Sequence, residues 1–316
     1  MQMTSVIFMG TPNFGVPILK GLVENGYEIK AVVTQPDKKV GRKQSLKKTP
    51  VKIVAEELNL PIFQPIKLPK SQELEALINL HADLIVTAAY GQFLPSKFLN
   101  SVKIAAVNVH GSLLPKYRGG APIQYSIING DTETGVTIME MVKEMDAGDI
   151  YAQEAIKIAA TDTAGTVFNK LAIVGRDLLL KTLPQIIAHP NIKAPQDSAG
   201  VIFSPNISKE QEQIKLNMTA QEANNLIRGL NPNPGAYLKV NGKRFKVWQA
   251  RVSSEKSVLP AGSLANNKGR FAITMASGSV LDLTEVQPAG KKRMPIKNFL
   301  NGQGDKFKVG EKIIDE

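Results

Sequence analysis

Ser5–Met9 (SVIFM) is a short apolar run without alternation, and it ends on Gly10. An unbroken apolar run of that length suits a strand buried on both faces, which in practice means a parallel sheet with helices packed on either side. The sequence that follows fits that frame. Gly10-Thr11-Pro12-Asn13-Phe14-Gly15 forms a turn, Val16–Asn25 is amphipathic and closed by Gly26, and Ile29–Val33 is a second apolar run. This is a βαβ opening with a right-handed crossover. The pattern continues with a helix over Val51–Leu58, a strand over Pro61–Phe63 and a helix over Ser71–Leu80 with Ser71 at its N-cap. Two more buried strands follow, Asp83–Ala89 and Ile104–Val109. Tyr90-Gly91 and His110-Gly111 come directly after these two, so polar residues gather beyond the C-terminal ends of strands, where an open α/β sheet carries its site. The first turn lacks a dinucleotide fingerprint. Pro12 stands where a second glycine is needed, and Thr34-Gln35 ends the second strand where an acid is needed.

Further along, Gly135–Met141 and Ile150–Ile158 read as an antiparallel pair with Asp146-Ala147-Gly148-Asp149 between them, and Thr163–Leu183 reads as a long helix. From Ala188 to Ile207 the periodicity dissolves around Pro190, Pro195 and Pro205, the mark of a linker. Beyond it lie one helix, Thr219–Gly229, and short turn-punctuated strands (Ala236–Val240, Phe245–Val252, Arg270–Met275, Val280–Val286), a spacing that predicts a small OB-like β-barrel. The expected organisation is a Rossmann-like, mostly parallel α/β domain over residues 1–189, a linker over 190–207 and a barrel domain over 208–316.

Composition narrows the chemistry. The 316 residues exceed a usual single core of roughly 100–200 residues. There is no cysteine, which excludes disulfides, a thiolate nucleophile and zinc–cysteine sites. Only three histidines remain (His81, His110, His189), so a histidine-rich metal site is not expected. No stretch reaches the ~18 apolar residues of a membrane span, and a core strand already begins at Ser5. A soluble cytoplasmic protein is the expectation. The net charge of +11 is unevenly placed: residues 1–206 carry 21 basic and 18 acidic side chains, residues 207–316 carry 18 and 10. Within the first part, KKVGRKQSLKK (38–48) holds six basic residues and no acid. A polyanionic partner would explain that distribution, and generic solubility charge is the alternative.

Asn108 and His110 lie two apart on an otherwise apolar strand, so their side chains share a face. An asparagine amide is a fixed donor suited to a developing oxyanion, and a histidine moves protons near neutral pH. Asp146, in its glycine-flanked loop, could orient the histidine. A strand-end histidine satisfied by local hydrogen bonds is the competing reading, and the residues alone leave the two open.

The run NVHGSLLPKYRGGAPI (108–123) resembles the signature of the folate-dependent formyltransferases, and the chain as a whole resembles the branch of that family that formylates methionyl-tRNA. The supporting segments are FMGTPNFGVPIL (8–19), VVTQPDKKVGRKQSLKKTPVK (32–52), AAYGQFLP (88–95), TETGVTIMEMVKEMDAGDI (132–150), LIRGLNPNPGAYL (226–238), KVWQA (246–250) and QPAGKKRM (287–294). The resemblance implies transfer of a formyl group from 10-formyltetrahydrofolate to the amino group of methionyl initiator tRNA, by a monomer and without a metal or a membrane. It maps the catalytic triad onto Asn108, His110 and Asp146. It implies a folate site at Tyr90, Gly91, Phe93, Leu94, Ser112, Leu113, Leu114, Pro115 and Met141. It also implies tRNA contacts at Lys38, Lys39, Arg42, Lys43, Lys47 and Lys48 in an insertion after the second strand, and at Lys291, Lys292 and Arg293 on the barrel. Asn233 and Lys215-Leu216 depart from the family's pattern, and both lie in the second domain. An amino-sugar nucleotide acceptor is the alternative, since such enzymes share the HGSLLPKYRG run. The basic insertion separates the two, because a sugar nucleotide has no use for six positive charges on a protruding loop.

Overall fold

The computed structural model describes residues 3–40 and 44–315. Two compact units emerge. The first comprises Met1–Pro122, Thr134–Ile156 and Phe168–Pro205, and the second comprises Ile123–Glu133, Lys157–Val167 and Asn206–Glu316.

In chain order the elements of the first half are β1 (Ser5–Gly10), α1 (Gly15–Glu24), β2 (Glu28–Val33), β3 (Lys38–Val40), β4 (Ser45–Lys47), α2 (Pro50–Glu57), β5 (Ile62–Phe63), α3 (Gln72–Ile78), β6 (Leu84–Ala88), α4 (Ser96–Leu99), β7 (Ala105–His110), α5 (Pro122–Ile128), β8 (Glu133–Glu140), β9 (Ile150–Lys157) and α6 (Ala164–Ala188). Seven of these strands form one sheet in the order β5-β2-β1-β6-β7-β8-β9. The pairs β5/β2, β2/β1, β1/β6 and β6/β7 are parallel, and β7/β8 is antiparallel. This is the Rossmann-like, mostly parallel sheet that the apolar runs predict. All six residues of β1 are buried, and Ile7 and Met9 pack with Val33, Leu77, Ile85 and Phe98 in one core cluster. Burial on both faces explains why β1 shows no polar alternation. The chain reverses after β6 through left-handed residues at Ala89 and Gly91, and after β7 through a turn that runs to Gly120. Both turns leave the sheet at its C-terminal edge, which brings the polar segments of the sequence together there.

The second unit holds α7 (Ala220–Gly229), β10 (Tyr237–Val240), β11 (Lys243–Lys256), β12 (Leu264–Asn266), β13 (Phe271–Thr274), β14 (Ser279–Gln287), β15 (Met294–Pro295), α8 (Ile296–Gln303) and β16 (Ile314–Asp315). Its sheet runs β12-β13-β14-β11-β10-β16, with β15 also paired to β14, and it is a curled antiparallel half-barrel. The register shifts three times along β11/β14, and such bulges bend a long strand enough to curl the sheet. Phe245, Phe271, Phe299 and Phe307 belong to its buried core, with Phe271 edge-on to both Phe299 and Phe307. Thr219 caps α7 through a reciprocal box with Glu222, the pairing that the T-x-x-E spacing announces. Among the described residues, no helix is long and apolar enough to cross a membrane.

Candidate active site

β7 supplies two of the three polar residues that its sequence singles out. Asn108 lies opposite Thr87 of β6 and Met139 of β8, and His110 lies opposite Thr137. The Thr87 hydroxyl, almost fully buried, donates to Asn108 Oδ1 at 2.8 Å. The amide is thereby oriented by its oxygen, which leaves the two Nδ2 protons as its donors. Thr87 was not singled out by the sequence, because a threonine inside an apolar strand reads as a β-former.

His110 is 6% exposed, and each ring nitrogen faces an oxygen. Nε2 is 3.0 Å from the Tyr117 carbonyl, and Nδ1 is 3.7 Å from Asp146 Oδ1. The Tyr117 carbonyl can only accept, so Nε2 donates to it, while Nδ1 faces the Asp146 carboxylate. The Tyr117 carbonyl also accepts from the Ser204 hydroxyl at 3.0 Å, so it keeps a partner when the ring releases it. The turn after β7 is shaped for this role. Ser112 Oγ donates to the Lys116 carbonyl at 2.7 Å, and Tyr117 takes a left-handed φ of 65°.

Asp146 arrives from the loop between β8 and β9, itself at a left-handed φ of 49°. Its Oδ2 accepts the Gly119 N–H at 2.8 Å while Oδ1 faces His110. Gly119 has to be glycine: its φ is 126°, and a Cβ there would lie 2.6 Å from the Ser204 carbonyl oxygen. The candidate triad is therefore brought together, with Asn108 and His110 on one strand face and Asp146 facing the ring.

Residues 190–205 do more than connect. Ala194 exchanges two backbone hydrogen bonds with Ile150. Arg118 N–H donates to the Ile202 carbonyl, Ser204 N–H to the Arg118 carbonyl, and Ala121 N–H to the Ser204 carbonyl. Gln196 donates to the Asp146 and Gly148 carbonyls at 2.8 and 2.7 Å, and its Oε1 accepts both Nε and Nη2 of Arg118. Nothing in the sequence pattern marked Gln196 or Ser204, since a strap held by backbone hydrogen bonds has no hydrophobic period.

The predicted folate residues divide by exposure. Tyr90, Leu94 and Leu114 are buried side chains, while Gly91 and Phe93 are exposed. Tyr90 belongs to the core cluster with Leu94, with Met141 packed against it; Met141 Sδ also lies 3.2 Å from Thr87 Oγ1. The Tyr90 hydroxyl is buried without a protein partner. Burial, with Glu73 nearby, pushes its pKa up to about 12, so it stays a neutral phenol that can serve a bound polar group. Leu113 and Pro115 are half-buried, and the Ser112 hydroxyl is committed to the Lys116 carbonyl. Beside this segment is an open hollow of about 350 Å³ lined by Gln35, Ile66, Lys67, Pro69, Gln92 and Phe93. Apolar walls with amides and one lysine fit an aromatic ligand that carries a carboxylate.

Lys38, Lys39, Lys47 and Lys48 lie on the β3/β4 hairpin and are exposed, and Lys38 stands directly opposite Lys47. Lys48 pairs with Glu56 at 2.7 Å. Arg42 and Lys43 lie outside the described residues. On the second unit, Lys291 and Lys292 are exposed, whereas Arg293 pairs with Glu285 and stands over the Trp248 ring at 4.9 Å. Among the described residues, no group of three or more acidic or histidine side chains is gathered as a metal ion would require.

Two family models match the chain: "Formyl transferase" over residues 3–183 and "Formyl transferase, C-terminal domain" over residues 206–304. Residues 184–205 fall in neither. The chain is 71% identical to the methionyl-tRNA formyltransferase of Lactobacillus acidophilus, a match that covers 99% of this chain and all of that one. It is 58% identical to the enzyme of that name from Latilactobacillus sakei, covering 99% and 98% of the two chains. Among solved structures, it resembles an N-formyltransferase from Helicobacter canadensis in complex with folinic acid and dTDP-3-aminofucose. That match has a TM-score of 0.69 at 20% identity and covers 91% of this chain and all of the other. It also resembles HypX from Aquifex aeolicus in complex with tetrahydrofolic acid, with a TM-score of 0.65 at 17% identity over 97% of this chain and 48% of that one.

Proposed function

The chain belongs to the formyl transferase family, and from that premise we propose that it transfers the formyl group of 10-formyltetrahydrofolate to the amino group of methionyl initiator tRNA. The product is N-formylmethionyl-tRNA for translation initiation, made in the cytoplasm by a monomer. Full-length identity of 71% to an enzyme of this name supports the acceptor, whereas the sugar-nucleotide enzymes are relatives in fold at 20% identity. The observation that carries the chemistry is the arrangement of Asn108, His110 and Asp146.

The folate supplies an activated formyl carbon. The chain's part is to stabilise the negative oxygen that develops when an amine attacks such a carbon, and to manage the protons. Asn108 offers its Nδ2 protons from an amide already oriented by Thr87, so little reorganisation is needed during reaction. His110 offers the Nε2 proton that now faces the Tyr117 carbonyl. Asp146 faces Nδ1 across 3.7 Å and would orient the ring. The folate would be held by the 88–95 segment, the Ser112–Pro115 turn and Met141, with the Phe93 and Lys67 hollow taking its aromatic and anionic parts.

The acceptor is tested by offering methionyl-tRNA and an amino-sugar nucleotide side by side with the same formyl donor. Formylated methionyl-tRNA is the expected product, and formylation of the sugar alone would sink the assignment. A second expectation concerns the hairpin. Like charges placed directly opposite on a two-stranded ribbon disfavour it, so Lys38 and Lys47 make physical sense with a polyanion between or beside them. Lys38→Ala with Lys47→Ala should weaken tRNA binding and reduce the slope of log affinity against log salt by about 1–2, with folate affinity unchanged. An unchanged slope would remove the hairpin from the RNA contact.

A further inference from the structure

We infer that Gln196, in the strap between the two family-matched segments, is a positioning residue for the transfer reaction: it acts through the Asp146 loop and has Arg118 as its support. The inference rests on the reading of Asn108, His110 and Asp146 given above.

A side-chain amide can accept two hydrogen bonds and donate two. Gln196 uses all four. Oε1 takes Arg118 Nε at 3.0 Å and Nη2 at 2.8 Å, and Nε2 gives one proton each to the Asp146 and Gly148 carbonyls. The cation on the oxygen side polarises the amide and strengthens its N–H donors on the other. No other side chain of this size can do both tasks. A glutamate would pair with Arg118 but has no proton for the carbonyls, and an alanine would leave both ends open.

The two carbonyls belong to a loop with a strained backbone. Asp146 is left-handed at φ 49°, a conformation disfavoured for a residue with a side chain, and Gly148 is pressed against the Glu140 carbonyl. Two hydrogen bonds from outside the loop offset that cost. They fix the backbone from which the Asp146 carboxylate reaches Gly119 N–H with one oxygen and His110 with the other. Gly119, whose N–H that carboxylate accepts, lies between Arg118 and Ala121, both of which Ser204 of the same strap holds by backbone hydrogen bonds. Both supports of the His110–Asp146 pair thus come from residues 194–204. Arg118, whose position beside the site could suggest a substrate contact, already spends Nε and Nη2 on Gln196.

The test measures kcat and KM for both substrates in the full-length chain carrying Gln196→Ala, Gln196→Glu, Asp146→Asn, and each Gln196 change combined with Asp146→Asn. Thermal unfolding and folate binding are followed alongside. Gln196→Ala and Gln196→Glu should each lower kcat about 10- to 100-fold with both KM values within about threefold. The same changes made in Asp146→Asn should cost less than about twofold more, because their route to the chemistry is already cut. If Gln196→Ala does not fold, Gln196→Glu, which keeps the Arg118 pairing, decides the matter. A wild-type kcat in the Gln196 variants would overturn the inference. So would an equal fold-loss in both backgrounds, or a change in KM alone. These results leave the site reading intact provided Asp146→Asn is itself impaired. An Asp146→Asn enzyme with wild-type kcat would instead bring down the site reading, and this inference with it.

Discussion

Asn108→Ala should lower kcat by about 10²–10³-fold with little change in KM for either substrate, the loss typical of removing one oxyanion donor. The reason lies in how the amide is held. Its Oδ1 is committed to Thr87, whose side chain is buried between two strands, so the Nδ2 protons are presented without a search over rotamers. The donor meets the reacting oxygen most strongly when that oxygen is negative, so the effect falls on kcat and not on ground-state binding. Truncation leaves the strand intact, because Asn108 sits at the half-buried end of a register that Val107 and Val109 hold in the core. Steady-state formylation with varied folate and varied methionyl-tRNA separates the two constants. A kcat within threefold of wild type, or a loss confined to KM, would exclude Asn108 as the oxyanion donor.

Gly148→Ala should destabilise the chain by about 1–3 kcal/mol and also lower kcat by an order of magnitude or more. The added Cβ would stand 2.0 Å from the Glu140 carbonyl oxygen and 2.9 Å from its carbon. These are backbone atoms of β8 and cannot turn aside as a flexible side chain would. Glu140 is further fixed because its N–H donates to the Asp149 carbonyl. The loop must therefore move, and Asp146 moves with it. Thermal unfolding together with kcat checks both halves. A variant with reduced stability and full activity would show that the loop tolerates displacement, and that the Asp146 placement matters less than its hydrogen bonds imply.

Much of this was legible before any coordinates. The apolar runs of β1, β6 and β7 announced a parallel sheet because strands buried on both faces cannot alternate. Asn108 and His110 stood out because two polar residues on one face of such a strand need partners, which the structure supplies as Thr87 and the Tyr117 carbonyl. The T-x-x-E cap of α7 and the turn-spaced strands after it announced the second fold. What could not be read is the support beneath the triad. Thr87 looks like any β-branched strand residue, Tyr117 acts through its carbonyl, and Gly119 through its N–H. Main-chain groups carry no residue code. Gln196 and Ser204 sit among Pro190, Pro195 and Pro205, where loss of periodicity reads as slack chain, although hydrogen bonds tie it to Arg118, Ala121, Asp146, Gly148 and Ile150.

The strap also bears on where such a protein can be divided. A cut after α6, at the end of the last regular helix of the α/β half, removes the amide that braces Asp146 and the serine that backs Gly119. The compact unit that contains the triad runs on to Pro205. An engineered hybrid that exchanges the C-terminal half-barrel for another domain must therefore make its joint beyond that proline. The portable half of the molecule is longer than its secondary structure suggests, and the segment that looks most dispensable has to travel with the candidate site.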